Sequence, residues 1–367
     1  MLLMAATVLK AVTLAADSDR GAQLFETLAC VQCHSINGKG GTRAPDLGRL
    51  VDRNFTPAKL AATMWNHAPA MWAAMREGDI RAGDLDEQAA ADLFAYFYAT
   101  RFFEKPGDAG RGKRAFAERG CAGCHGLKNP VRPMVKPVAQ WEMLTDSVAL
   151  AEAMWNHRPG MLEAAGANRL RWPELSAQDL GDILIYLRNL PSPPSKLGLF
   201  RIGAGTDGAA VFTSKGCSGC HPSGSALANR LKGQTLTEIA ATMWNHAPKM
   251  AAAGAKPLKL ESGEMRELLS YLWAEEFFED SGNPAAGGRV FAAKHCATCH
   301  KDPSTGVPKL AGTGRSFNCA AMVSALWHHG PRMLDRMKAK SISWPRFERM
   351  QMSDLIAFLN SGKARTP

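Results

Sequence analysis

Four times in 367 residues the chain repeats one pentapeptide pattern, two cysteines with a histidine directly after the second: CVQCH at 30–34, CAGCH at 121–125, CSGCH at 217–221 and CATCH at 296–300. A single copy could be half a zinc site or a thioredoxin-like dithiol, and neither of those requires the adjacent histidine. Its presence in all four copies selects other chemistry. Two thiols add across the two vinyl groups of a porphyrin, and the next residue delivers its imidazole to the iron. The pattern therefore implies four covalently attached haem c groups. Cys30, Cys33, Cys121, Cys124, Cys217, Cys220, Cys296 and Cys299 are the attachment points, and His34, His125, His221 and His300 are the proximal ligands.

The motifs set the register of a fourfold repeat. Five residues before each leading cysteine stands Phe25, Phe116, Phe212 or Phe291, and four before each of these stands Gly21, Gly112, Gly208 or Gly287. A spacing of four puts Gly and Phe on one face of a helix. The glycine leaves room for another helix, and the phenylalanine is expected beside the haem. Downstream comes MWNHAPAM at 64–71, MWNHRPGM at 154–161, MWNHAPKM at 243–250 and LWHHGPRM at 326–333, with the shared frame W-x-H-x-P-x-M. Each repeat closes on an apolar i, i+3, i+4 pattern that predicts a helix ending near Tyr96, Tyr186, Tyr271 or Phe358.

With these residues in place, each block of roughly 80–90 residues resembles a small class I cytochrome c domain. That resemblance implies an all-α protein of four tandem domains, each a small helical unit around one haem. The boundaries are 17–105, 106–190, 207–281 and 282–367, with a Pro- and Gly-rich linker at 191–206. In the family, a proline after the haem histidine offers its carbonyl to the second imidazole nitrogen; Pro45, Pro137 and Pro308 stand at the corresponding places. Repeat 3 departs, with Ser225-Ala226-Leu227 there. Repeats 1 and 3 share AATMWNHAP and FFE, whereas 2 and 4 share a Trp-Pro at 172–173 and 344–345, so the order is A-B-A′-B′, a duplicated two-haem unit.

Two side chains in the W-x-H-x-P-x-M frame compete for the far face of each iron. Met71, Met161, Met250 and Met333 recur in all four repeats and hold the place where the resemblance puts a distal methionine. The proline two residues earlier is expected to break the helix and present the thioether from a chain reversal. His67, His157, His246 and His329 recur as well, and imidazole is the stronger ligand in general, so the choice stays open with methionine favoured. Trp65, Trp155, Trp244 and Trp327 are expected to wall the pockets and exclude water. His328 has no counterpart and reads as incidental, and the ninth cysteine, Cys319, stands outside the four CxxCH motifs and reads as a small buried hydrophobe.

A formal charge of +10 is spread without a basic run, which argues against nucleic acid. The stretch MLLMAATVLKAVTLAADSD is apolar for about sixteen residues, too short and interrupted for a spanning helix. It reads as a secretory signal over residues 1–16 cut near Ala15 or Ala16, with an uncleaved membrane anchor as the alternative. An exported, periplasmic location follows.

Irons with both axial positions filled exchange electrons and bind no small substrate. No phosphate loop, nucleophile elbow or dinucleotide fingerprint accompanies them. The expectation is an electron carrier, not an enzyme, passing electrons along the domains between redox proteins or a membrane electron-transport complex. Two alternatives remain: a multihaem peroxidase or reductase with one opening site, and a haem subunit of a larger membrane respiratory or photosynthetic complex.

Overall fold

The computed structural model describes residues 15–361 except 49–55, 82, 102–106, 134, 142–144, 168–170, 191–199, 204–206, 223–226, 228–229, 232, 279–280, 303, 305, 314 and 349. The amino-terminal signal or anchor, most of the linker expected at 191–206, and Ser225-Ala226 lie outside them. No helix among the described residues is long and apolar enough to cross a membrane.

Each sequence repeat supplies three main helices. They are α1 (Ser18–Thr27), α2 (Pro57–Glu77) and α3 (Glu87–Thr100) in repeat 1, and α4 (Ala109–Glu118), α5 (Ser147–Ala167) and α6 (Ala177–Arg188) in repeat 2. Repeat 3 has α7 (Gly208–Ser214), α8 (Leu236–Ala252) and α9 (Glu264–Phe277); repeat 4 has α10 (Pro284–Ala293), α11 (Cys319–Ala339) and α12 (Gln351–Asn360). Their starts follow from local chemistry. Asp17, Asp108 and Asn283 cap the first helices of repeats 1, 2 and 4 through side-chain oxygens. Ser176 with Asp179, and Thr235 with Glu238, form reciprocal capping boxes.

The first and last helices of every repeat cross at the glycine. A Cβ on Gly21, Gly112, Gly208 or Gly287 would fall 2.1, 1.9, 2.3 or 1.9 Å from the carbonyl oxygen of Asp92, Asp182, Glu267 or Asp354. No side chain fits there. One turn on, Phe25, Phe116, Phe212 and Phe291 are buried against Tyr96, Tyr186, Tyr271 and Phe358, with ring centroids 5.9, 5.9, 6.0 and 5.4 Å apart. A carboxylate locks three of the crossings. Asp92, Asp182 and Asp354 accept the backbone N–H of Asp17, Asp108 and Asn283 at 2.8, 2.7 and 2.7 Å. Arg20 and Arg111 fork onto Asp92 and Asp182, a bidentate geometry that fixes direction as well as charge.

The W-x-H-x-P-x-M frame does not reverse the chain, contrary to expectation. Pro69, Pro159, Pro248 and Pro331 lie inside α2, α5, α8 and α11, which run on for another turn or more. A proline nitrogen has no hydrogen to give, so the carbonyl four residues earlier is released in each case. That residue is the tryptophan. In repeats 1 and 3 the freed oxygen finds a partner from another repeat: Trp344 Nε1 donates to the Trp65 carbonyl at 2.9 Å, and Trp172 Nε1 to the Trp244 carbonyl at 3.3 Å. The Trp-Pro of repeats 2 and 4 supplies those indoles.

Helix α2 packs on α11 and α5 on α8, so repeat 1 faces repeat 4 and repeat 2 faces repeat 3. Repeats 1 and 3 meet through α3 and α9, where Tyr98 lies 4.8 Å from Trp273 and Phe94 stacks on Phe278 at 6.1 Å. Ser18 N–H donates to the Ile202 carbonyl and Ile202 N–H to Ser18 Oγ, tying repeat 1 to the end of the linker that leads into repeat 3. In space the repeats therefore lie 2–3–1–4.

Candidate haem sites

The residue before each leading cysteine is left-handed: Ala29 (φ 62°), Gly120 (82°), Gly216 (77°) and His295 (61°). Each ends its helix and turns the chain into a tight coil. The histidine N–H then bonds the first cysteine's carbonyl, at 2.9, 2.8, 2.9 and 2.9 Å for His34, His125, His221 and His300. Both thiols and the imidazole are thus carried on one turn. Burial pushes the Cys30, Cys121 and Cys296 thiols up to about 11, and the Cys217 thiol upward too. Among the described residues, no three of His, Cys, Asp and Glu converge as a zinc site would require.

Pro45 and Pro308 stand where sequence put them. The His34 and His300 Nδ1 atoms each lie 2.9 Å from those carbonyls, which leaves Nε2 as the free ligand atom. Pro137 differs. It is the Lys136 carbonyl, one residue earlier, that faces the half-buried His125 ring. Burial, with His157 opposite, holds the His125 imidazolium below its usual range.

On the distal side, His67, His157 and His246 sit opposite the proximal rings, with centroids 6.2, 6.0 and 6.3 Å from His34, His125 and His221. Two metal–imidazole bonds of about 2.0–2.1 Å plus the half-widths of both rings sum to roughly 6 Å. Met71, Met161 and Met250 follow one turn later on the same helix faces. Repeat 4 is different. Among the described residues no ring contact joins His300 to His329, and Met333 instead lines an apolar cavity together with Cys296, Cys299, His300 and Phe291.

The buried polar atoms fit a haem too. Trp65 Nε1, Trp155 Nε1 and Arg158 Nη1 are buried donors with no acceptor. Arg158 lies over the Trp155 ring at 3.8 Å, and burial lowers its pKa. Apolar pockets with orphaned donors suit a flat apolar ring carrying carboxylates. A bound haem would supply one-electron redox chemistry; the cysteines would tether it, the imidazoles would ligate it, and the apolar walls would exclude water.

The tryptophans do more than wall their own pockets. Trp65, of repeat 1, lines the cavity of repeat 4. Trp327 donates to the Gly83 carbonyl of repeat 1 at 3.0 Å. Trp155 and Trp244 are buried. His328 is not incidental: its Nε2 meets Asp84 of repeat 1, and its Nδ1 lies 2.7 Å from the Ser324 carbonyl. Cys319 is fully buried in the core.

The Cytochrome c family model matches the chain twice, over residues 18–99 and 109–191. The two segments carry the first two CxxCH turns and support a class I c-type cytochrome, a family of electron carriers that bind haem c covalently. No curated protein and no solved structure matches the chain.

Proposed function

We propose that this protein is an exported tetrahaem c-type cytochrome, built from four domains with the boundaries given above, that passes single electrons between redox partners. One observation carries the reading: in repeats 1–3 a second imidazole stands 6.0–6.3 Å from the proximal one, on the far side of the space the porphyrin takes. An iron held that way has no position for peroxide, nitrite or oxygen. The distal ligands are then His67, His157 and His246 in repeats 1–3, and Met333 in repeat 4. A thioether favours ferrous iron relative to an imidazole, so repeat 4 has the highest potential.

The near-infrared spectrum of the ferric protein tests the ligands. One haem's worth of the Met–iron band is expected; four haems' worth would return Met71, Met161 and Met250 to the iron. Carbon monoxide tests the function. The ferrous protein is expected to bind little, whereas rapid stoichiometric binding would make it an enzyme. Mature protein from an exporting host is expected to begin near residue 16 or 17, and a retained first methionine would indicate the anchor.

A further inference from the structure

The chain runs through the repeats in the order 1–2–3–4, yet the aromatic seams pair repeat 1 with repeat 4 and repeat 2 with repeat 3. Between repeats 1 and 4, Trp65 and Trp344 stack with centroids 5.5 Å apart and planes 24° apart. Between repeats 2 and 3, Trp172 and Trp244 stack at 4.3 Å and 29°. Each stack is registered by the carbonyl that a proline releases, and by an asparagine clasping both backbone groups of one residue across the seam. Asn66 holds Phe347 at 2.7 and 2.8 Å, and Asn245 holds Leu175 at 2.9 and 2.8 Å. Trp65 also lines the cavity that holds His300, so one indole touches the repeat 4 pocket while belonging to the distal helix of repeat 1. At the centre, Tyr98, Trp273 and Phe277 form a third aromatic contact, with centroids 4.8, 4.2 and 5.5 Å apart.

Resting on the electron-transfer reading above, we propose that electrons move between repeats in the spatial order 2–3–1–4, with the stacked indoles Trp244/Trp172 and Trp65/Trp344 as the bridges within the outer pairs. In each event one electron leaves one pocket, which is oxidised, and enters its neighbour, which is reduced. No bond forms or breaks and no proton moves, and the indoles finish as they began. External one-electron proteins supply and remove the charge. Repeats 2 and 4 are the two ends, and repeats 1 and 3 the relay. Stacks of one buried and three half-buried indoles suit this because they hold π-systems in fixed contact.

Haem deletion distinguishes this order from the covalent one. Variants that lose one attachment pair would be loaded with the remaining three haems, given one electron by pulse reduction, and followed by absorption. Removing haem 2 (C121A/C124A) is expected to leave redistribution among the others unchanged. Removing haem 3 (C217A/C220A) is expected to slow equilibration with repeat 2 by about tenfold or more. An order following the sequence gives the opposite for haem 2, whose loss would cut repeat 1 from the rest, and that result overturns the proposal. If either variant fails to load, the tetrahaem protein bearing Trp344→Leu or Trp172→Leu decides. Each is expected to slow only its own pair by about tenfold, with the ferric and ferrous spectra unchanged. Four haems with all rates within about twofold of the parent would defeat the bridges while leaving the function intact. Absence of haem mass from the purified chain would defeat the function itself.

Discussion

The two seams are built from equivalent residues and are not equivalent. Between repeats 2 and 3 the clasp is reciprocal: Asn245 holds Leu175 and Asn156 holds Leu260, the latter with two contacts of 2.8 Å. Both indoles donate across the seam as well, Trp172 Nε1 to the Trp244 carbonyl at 3.3 Å and Trp244 Nε1 to the Pro173 carbonyl at 2.8 Å. Between repeats 1 and 4 only half of this survives. Asn66 clasps Phe347, but Asn156 is replaced by His328, which reaches the exposed side chain of Asp84, and Trp65 Nε1 finds no acceptor. Bulk is redistributed too. Trp72 fills this seam against Gly330, whose Cβ would lie 2.2 Å from its ring, whereas the corresponding residues of repeats 3 and 2 are Ala251 and Arg158. The amide clasps themselves are indifferent to pH, and the ionisable contacts beside them between repeats 2 and 3 are carboxylates, Glu152 on the N–H groups of Gly263 and Met265 and Asp146 on Arg266. Between repeats 1 and 4 the contact in the clasp's place brings in an imidazole, His328 on Asp84.

The largest effect is expected from breaking the better-satisfied seam. Asn245→Leu leaves the N–H and C=O of buried Leu175 unpaired, and each orphaned group costs about 1–3 kcal/mol. Thermal unfolding of the haem-loaded protein should fall accordingly, and an unchanged midpoint would mean that water replaces the clasp. Next comes Gly330→Val, which drives a side chain into Trp72 and is expected to cost about 1–3 kcal/mol. Adding Trp72→Ala should recover part of the loss, and strictly additive losses would show that the two residues do not compete for one space. Trp344→Phe keeps a ring but loses the bond to the Trp65 carbonyl, about 0.5–1.5 kcal/mol by denaturant titration. The smallest effect is the pH response of His328. The Ser324 carbonyl and then Asp84 raise its pKa. Its contribution is complete below the unfolded value of about 6.5 and is lost as pH rises through the higher folded value. Its exposure keeps that contribution small. His328→Asn should flatten the slope of stability against pH across that window; an identical slope in both proteins would remove the contrast between the seams.

The CxxCH turns were legible because their spacing is local, and the fold does carry both thiols and the imidazole on one turn. The sequence made the helix crossing legible for a steric reason, since Gly21, Gly112, Gly208 and Gly287 recur where no Cβ fits. It misled at the prolines. Local propensity says that Pro69 ends a helix, but tertiary packing provides Trp344 to satisfy the carbonyl that Pro69 releases, and the helix continues. The Trp-Pro pairs at 172–173 and 344–345 were visible as differences between repeats, yet their partners lie about 70 and 280 residues away, as the contacts Trp172–Trp244 and Trp344–Trp65 show. No periodicity reports such a distance. His328 failed for the same reason: its partner Asp84 belongs to another repeat.

The crossed pairing has a meaning for how such a chain can be assembled. Repeats 1 and 4 meet through the same surfaces as repeats 3 and 2, which is the pattern of an isologous dimer of two-repeat halves whose subunits have been fused. Tethering the halves raises their effective concentration without adding a contact. A chain cut once between residues 190 and 200 should therefore remain one particle on a sizing column, and separately made halves should find each other.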